Sequence, residues 1–112
     1  MTQLIGKGRA FEYMMTADMI DANKALDWGL VNHVTSTKEE ALDLAAGILK
    51  KIETKAPIAI ELVVDSINAH FKPGENGYQT EANAFARCCG TDDFKEGAAA
   101  FLEKRKANFT GS

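Results

Sequence analysis

A phenylalanine and a lysine one helical turn apart are the residues of this sequence best suited to binding chemistry. The segment from Thr91 to Lys106 is predicted to be a helix, because a capping threonine and two aspartates open it and basic residues close it. Residues three apart are neighbours on a helix surface, so Phe101 and Lys104 share one edge. A ring beside a cation suits a flat, anionic ligand. The same pair also fits an ordinary amphipathic helix.

Other chemical motifs are scarce. The sequence contains no Walker loop, dinucleotide fingerprint, HExxH, CxxC or GxSxG pattern. Gly6-Lys7-Gly8 lacks a preceding strand and is interpreted as a helix start rather than a phosphate loop. His33 has no partner at metal-ligand spacing, so no metal is expected. Adjacent residues cannot form a bridge that staples a fold, so Cys88 and Cys89 are expected to be reduced thiols in a cytoplasmic protein.

The composition is that of a folded globular chain. Its 112 residues are 46% hydrophobic and 26% charged, which argues against disorder and is at most one domain's worth. The formal net charge of -3 gives no sign of a nucleic-acid partner. No apolar run has the length of a bilayer span, so no membrane partner is expected.

Hydrophobic periodicity predicts a mainly α fold with about six helical segments and one short strand. The strand is predicted from Leu30 to Val34, where apolar and polar residues roughly alternate. One strand cannot make a sheet, so its partner would have to lie outside this chain or in another copy. The strongest loop signal is Lys72 to Gly77. The helices are predicted over residues 5–16, 22–28, 38–53, 57–71, 78–89 and 92–106.

The order of these segments resembles the C-terminal portion of the crotonase superfamily, the enoyl-CoA hydratase/isomerase proteins. The resemblance covers essentially the whole chain and is most specific in Ala25 to Val34 (ALDWGLVNHV) and in Asp92 to Lys106, with its DDFKEG start and FLEKRK end. It implies the C-terminal helical region of a crotonase-like (ClpP/crotonase) α/β fold. Residues 1–35 would end the crotonase-like core, and residues 36–112 would form a helical region for oligomerisation and for the rim of the CoA site.

The resemblance also implies a function. Family members act on acyl-CoA thioesters, most typically by hydrating 2-enoyl-CoA, and self-associate as trimers or dimers of trimers. The oxyanion hole and the catalytic glutamates of hydratase members belong to an N-terminal portion that this sequence does not match. We therefore expect a fragment without catalytic residues or activity of its own, and no cofactor apart from the CoA of the substrate. A helical oligomerisation module without a ligand is the alternative.

Three positions match family residues that approach the adenine and phosphates of CoA. They are Phe85, on the helix before the last, and Phe101 and Lys104, on the last helix. Ring stacking and a cation directed at a phosphate are sensible roles for them. Each also has a purely structural interpretation, since Phe85 and Phe101 lie on apolar stripes and Lys104 lies where a helix end favours cations.

Overall fold

The structure, a computed structural model, describes all 112 residues and divides them into two compact units, Met1–Ala46 and Gly47–Ser112. It is entirely helical, which confirms the predicted mainly α class, and it has seven helices rather than six. None of these helices combines the length and the apolar character that crossing a bilayer requires. The helices are α1 (Thr2–Ile5), α2 (Lys7–Thr16), α3 (Ala22–Asp27), α4 (Lys38–Ile52), α5 (Pro57–Ala69), α6 (Gly77–Cys89) and α7 (Asp92–Glu103).

In the first unit, aromatic rings and cations join α2 to α3. The rings of Tyr13 and Trp28 meet edge to face, with their centroids 5.0 Å apart. The Lys24 ammonium donates to the Tyr13 hydroxyl at 3.0 Å, and the Arg9 guanidinium lies 4.9 Å from the centroid of the Trp28 ring. Edge-to-face pairs contribute about 0.5–1.5 kcal/mol beyond the area they bury, so this cluster fixes two helices that share only a small core.

The predicted strand from Leu30 to Val34 is absent, and that prediction was wrong. Helix α3 ends in a Schellman motif, in which Gly29 has a φ of 70° and its N–H donates to Leu26 at 2.9 Å. The N–H of Leu30 donates to the carbonyl of Ala25 at 2.8 Å. A strand exists only through the hydrogen bonds of a neighbouring strand, and no segment of this chain supplies them. The alternation of apolar and polar residues from Leu30 to Val34 was therefore not enough to form a strand.

In the second unit, α5 and α6 form an antiparallel pair. The end of α5 meets the start of α6, where the rings of His70 and Tyr78 lie edge to face at 5.1 Å. At the opposite end, Arg87 lies 3.7 Å from Glu61. The side chain of Asn76 caps α6, which explains why the predicted loop stops there.

The chain after α7 folds back along that helix, and hydrogen bonds hold it at the N-terminal end of α7. Asp93 is only 2% exposed, and its carboxylate accepts from the main-chain N–H groups of Thr110 at 2.7 Å and Gly111 at 2.9 Å. In return, the N–H groups of Asp92 and Asp93 donate to the main-chain oxygen of Ser112 at 2.8 and 3.1 Å. Helix N-termini favour carboxylates, so this buried carboxylate is both hydrogen-bonded and well placed.

Helix α7 ends at Glu103, three residues before its predicted end. The N–H of Arg105 donates to the carbonyl of Ala100 at 3.0 Å, and that of Lys104 donates to Phe101 at 3.3 Å. This is a second Schellman motif, with Lys104 in the left-handed conformation at a φ of 55°. Glycine usually fills this position, so the lysine hid the end of the helix from sequence analysis.

A second carboxylate, that of Glu96, holds the returning chain one turn further along α7. The Arg105 guanidinium donates to both of its oxygens, at 2.6 and 2.8 Å. The N–H of Asn108 donates to the same carboxylate at 2.8 Å. The hydrogen bonds from Arg105, and then that from Asn108, lower the pKa of Glu96 to about 2. The guanidinium also binds Glu103 at 2.6 Å, so its charge is fully engaged.

We expect Asp93→Ala to lower the free energy of unfolding by about 1–3 kcal/mol, because the bonds to Thr110 and Gly111 are lost. Asp92→Ala is the matched control, since Asp92 is exposed and pairs only with Lys95 at the surface. Urea unfolding measures both changes, and hydrogen exchange at Thr110 and Gly111 reports whether the tail is released. Equal effects of the two substitutions would contradict a special role for Asp93.

We expect the stability provided by Glu96 to be present above about pH 4.5 and to be lost as the pH falls towards 2. The sign follows from a folded-state pKa of about 2 that lies below the ordinary value of 4.5, so that acid protonates the unfolded state first. Thermal unfolding between pH 2 and 7 measures this effect. The difference in stability between wild type and Glu96→Gln should shrink as the pH falls from about 4.5 towards 2. Parallel curves for the two proteins would refute it.

Candidate functional site

The structure presents the predicted pair at the end of α7 to solvent. The ring of Phe101 is 83% exposed, so it is not a core residue of this chain. Lys104 is exposed and forms no ion pair. Its left-handed backbone follows directly from the turn that ends the helix. An exposed aromatic ring and an ammonium without an ion-pair partner therefore both lie at the end of α7.

Phe101 also lines an open groove of about 350 Å³ beside α7, which we call the α7 groove. Its second ring is that of Phe109, which lies against α7 at Gly97, about 3.5 Å from where a β-carbon there would be. The side chains that line the groove combine aromatic and basic character. They are Thr54, Lys55, Gly97, Ala100, Phe101, Arg105, Lys106, Ala107 and Phe109.

The cations around the α7 groove are of two kinds. Arg105 is bound by Glu96 and Glu103, and their hydrogen bonds raise its pKa, so it is a structural cation. Lys55 and Lys106 are exposed and form no ion pair. The groove therefore offers ammonium groups, rather than its guanidinium, to an anionic ligand.

Phe85 lies elsewhere. It is 67% exposed and lines a larger open groove, of about 580 Å³, between α5 and α6. This α5–α6 groove is mostly apolar, with His70 and Glu81 3.7 Å apart. The structure thus brings Phe101 and Lys104 to one helix end but places Phe85 in a separate groove. The other lining residues are Ala59, Leu62, Val63, Ser66, Ile67, Tyr78, Ala82, Ala84 and Cys88.

Sequence analysis missed three side chains of the α7 groove, namely Lys55, Lys106 and Phe109. From the sequence, Lys55 is interpreted as one of several lysines that the C-terminal end of α4 favours. The residues after Lys106 show no pattern that predicts a helix or a strand. The placement of Lys106 and Phe109 depends on Asp93 and Glu96 binding groups 9 to 18 residues away. The one local hint is Gly97, whose missing side chain leaves room for a ring on α7.

Neither the cysteines nor the clusters of titratable side chains form a further candidate site. Cys88 and Cys89 are free and half-buried. No three His, Cys, Asp or Glu side chains lie close enough together to hold a metal ion.

Comparison with known proteins identifies the family. The model of the enoyl-CoA hydratase/isomerase family matches residues 1–112. Crotonyl-CoA hydratase of Syntrophomonas wolfei is 41% identical over 108 residues, which are 96% of this chain and 41% of that protein. Methylmalonyl-CoA decarboxylase of Escherichia coli is 36% identical over 107 residues, covering 89% of this chain and 39% of that protein.

A solved structure gives the same result for the fold. The crystal structure of enoyl-CoA hydratase from Bacillus anthracis superposes with a TM-score of 0.87 at 35% identity, covering 99% of this chain and 43% of that one. The chain thus spans about two fifths of the length of the relatives that it matches. The resemblance seen in the sequence is confirmed over its full extent, and the chain belongs to the enoyl-CoA hydratase/isomerase family.

Proposed function

We propose that this chain is the C-terminal helical part of an enzyme that acts on acyl-CoA thioesters, and that it supplies the rim of the CoA site. Two of its relatives, a crotonyl-CoA hydratase and a methylmalonyl-CoA decarboxylase, differ in reaction but are both named for an acyl-CoA substrate. The shared feature is the CoA thioester. Hydration of a 2-enoyl-CoA is the reaction that we propose for the whole protein, because hydratases recur among the relatives.

The observation that carries this proposal is the exposed Phe101 beside Lys104. Burial of a ring is worth roughly 1.5–3 kcal/mol, so a phenylalanine left 83% in water has that much to gain from a ligand or another chain. The adenine of CoA offers a flat surface for stacking, and its phosphates offer negative charge to the ammonium.

The backbone of Lys104 supports the same role. A left-handed conformation costs an L-residue about 1–2 kcal/mol, so the fold by itself would favour glycine at this position. The turn itself would be satisfied by glycine. A lysine there adds a side chain that the fold of this chain does not use.

An oligomerisation module without a ligand is the second candidate, favoured by exposed apolar side chains. Large hydrophobic residues are exposed on α4, including Leu42 and Leu49, and on α5, including Val63 and Ile67. Exposed large apolar side chains of this kind, where they form a patch, mark contacts with other protein. Self-association as trimers or dimers of trimers would cover such faces.

We expect Lys104→Ala and Lys104→Gly to weaken CoA binding roughly threefold to tenfold, as the loss of one charged contact implies. Only glycine should stabilise the fold, by about 0.5–1 kcal/mol, since relief of the left-handed backbone exceeds the added freedom of the unfolded chain. Calorimetric titration and urea unfolding measure the two effects, with Lys50→Ala as the control. Oligomers that bind no CoA would favour the second candidate.

We expect the purified chain to give no turnover of crotonyl-CoA. The two carboxylates with the most hydrogen bonds both stabilise the fold, since Asp93 holds the tail and Glu96 binds Arg105. Neither is therefore free to activate a water molecule. Loss of the enoyl thioester absorbance, followed with the chain and with a full-length hydratase as the positive control, measures this. Turnover that scales with the concentration of the chain would overturn the proposed inactivity.

A further inference from the structure

The tail of this chain, residues 105–112, is bound to α7 as a separate peptide would be bound. The carboxylate of Asp93 accepts from the N–H groups of Thr110 and Gly111. The N–H groups of Asp92 and Asp93 donate to the main-chain oxygen of Ser112. Each of these bonds joins residues at least 17 positions apart in the sequence. The start of α7 therefore recognises an extended segment through its main-chain groups, whichever copy of the chain supplies that segment.

Two further contacts match this surface to the sequence of the tail. The carboxylate of Glu96 accepts from the Arg105 guanidinium at 2.6 and 2.8 Å, a bidentate and charge-assisted pair. The ring of Phe109 lies against α7 at Gly97, where no side chain occupies the space. A partner for this surface must offer an arginine and an aromatic ring at the same spacing, and a second copy of the chain does so.

The connection between α7 and its tail is a single strained residue. Helix α7 ends at Glu103, and Arg105 is already bound to Glu96. Lys104 between them has a φ of 55°, a left-handed conformation that L-residues disfavour. If Lys104 returned to the right-handed region, α7 would continue and the tail would point away from its own helix. Short hinges under strain favour exchange of the segment that they carry between two copies of a chain.

We propose that two copies of this chain exchange their tails, so that residues 105–112 of each copy occupy the surface of the other around Asp93, Glu96 and Gly97. Each copy gives one tail and receives one, which closes the assembly as a dimer. The contacts of the tail with Asp93, Glu96 and Gly97 are the same in the closed monomer and in the exchanged dimer. The balance between the two forms is therefore set by the hinge and by the concentration of the chain. The exchange needs no CoA, so it is tested separately from the proposed function.

Two complementary full-length variants test the exchange. The surface variant carries Asp93→Ala and Glu96→Gln and keeps the tail, whereas the tail variant carries Arg105→Ala and Phe109→Ala and keeps the surface. Neither variant alone contains a matched surface and tail, but a mixture allows one intact pair. Native mass spectrometry distinguishes the heterodimer from both homodimers by mass. In an equal mixture we expect the heterodimer to exceed each homodimer by roughly fivefold or more, because only it forms the matched contacts.

Two results of this experiment would overturn the proposal. One is a mixture in which the heterodimer and the homodimers have the random proportions expected of equal affinities, since association through other surfaces would produce them. The other is the absence of dimers of the wild-type chain at its highest soluble concentration. Circular dichroism verifies that both variants remain helical.

Substitutions of the hinge provide a second test that leaves every contact of the tail in place. Lys104→Gly and Lys104→Ala both remove the ammonium, but only glycine relieves the left-handed strain of the closed form and disfavours a continued helix. Sedimentation over a series of concentrations measures the dimer association constant. Lys104→Gly should lower this constant about tenfold or more, because each dimer contains two hinges, and Lys104→Ala should change it less than about threefold. Equal effects of the two substitutions would overturn the proposal.

Discussion

The buried carboxylate of Asp93 is the interaction on which the end of this chain depends. A charge removed from water is costly unless it is fully hydrogen-bonded, and here the main-chain N–H groups of Thr110 and Gly111 satisfy it. The tail has no secondary structure of its own to hold it. Its position comes from Asp93 at the start of α7 and from Glu96 one turn later. Helix α7 thus orders the tail that follows it.

The α7 groove is a consequence of this folding back. Without it, the ring of Phe109 would not lie at Gly97, and Lys106 would lie on a free end of the chain. The ion pairs of Arg105 serve the same purpose, because they fasten the turn after Lys104 to the body of the helix. Two acidic residues, Asp93 and Glu96, therefore hold the tail against α7. The lysines that form no ion pair are carried by the backbone that these carboxylates fix.

Local interactions made much of the fold predictable from the sequence. At the start of α4 the N–H of Glu40 donates to the Thr37 side chain at 3.1 Å and the Glu40 carboxylate accepts from the N–H of Ser36 at 2.9 Å, and Gly29 ends α3. The errors arose where distant groups decide the structure. The segment at 30–34 has no strand to pair with, and nothing near Asp93 in the sequence indicates that it binds residues 17 and 18 positions away. For the same reason the sequence suggested the Phe101–Lys104 edge but not the groove lysines.

The two kinds of cation around α7 show why charge alone did not locate the site. The sequence KRK at residues 104–106 looks uniform, yet the structure gives its members different duties. Arginine presents a planar fork that binds two carboxylates at once, so Arg105 is suited to the structural role and has little charge left for a ligand. Lysine is a mobile point charge that remains hydrated until it meets a partner. The arginine between Lys104 and Lys106 is therefore bound in ion pairs, while the lysines on either side of it remain exposed and Lys106 lines the α7 groove.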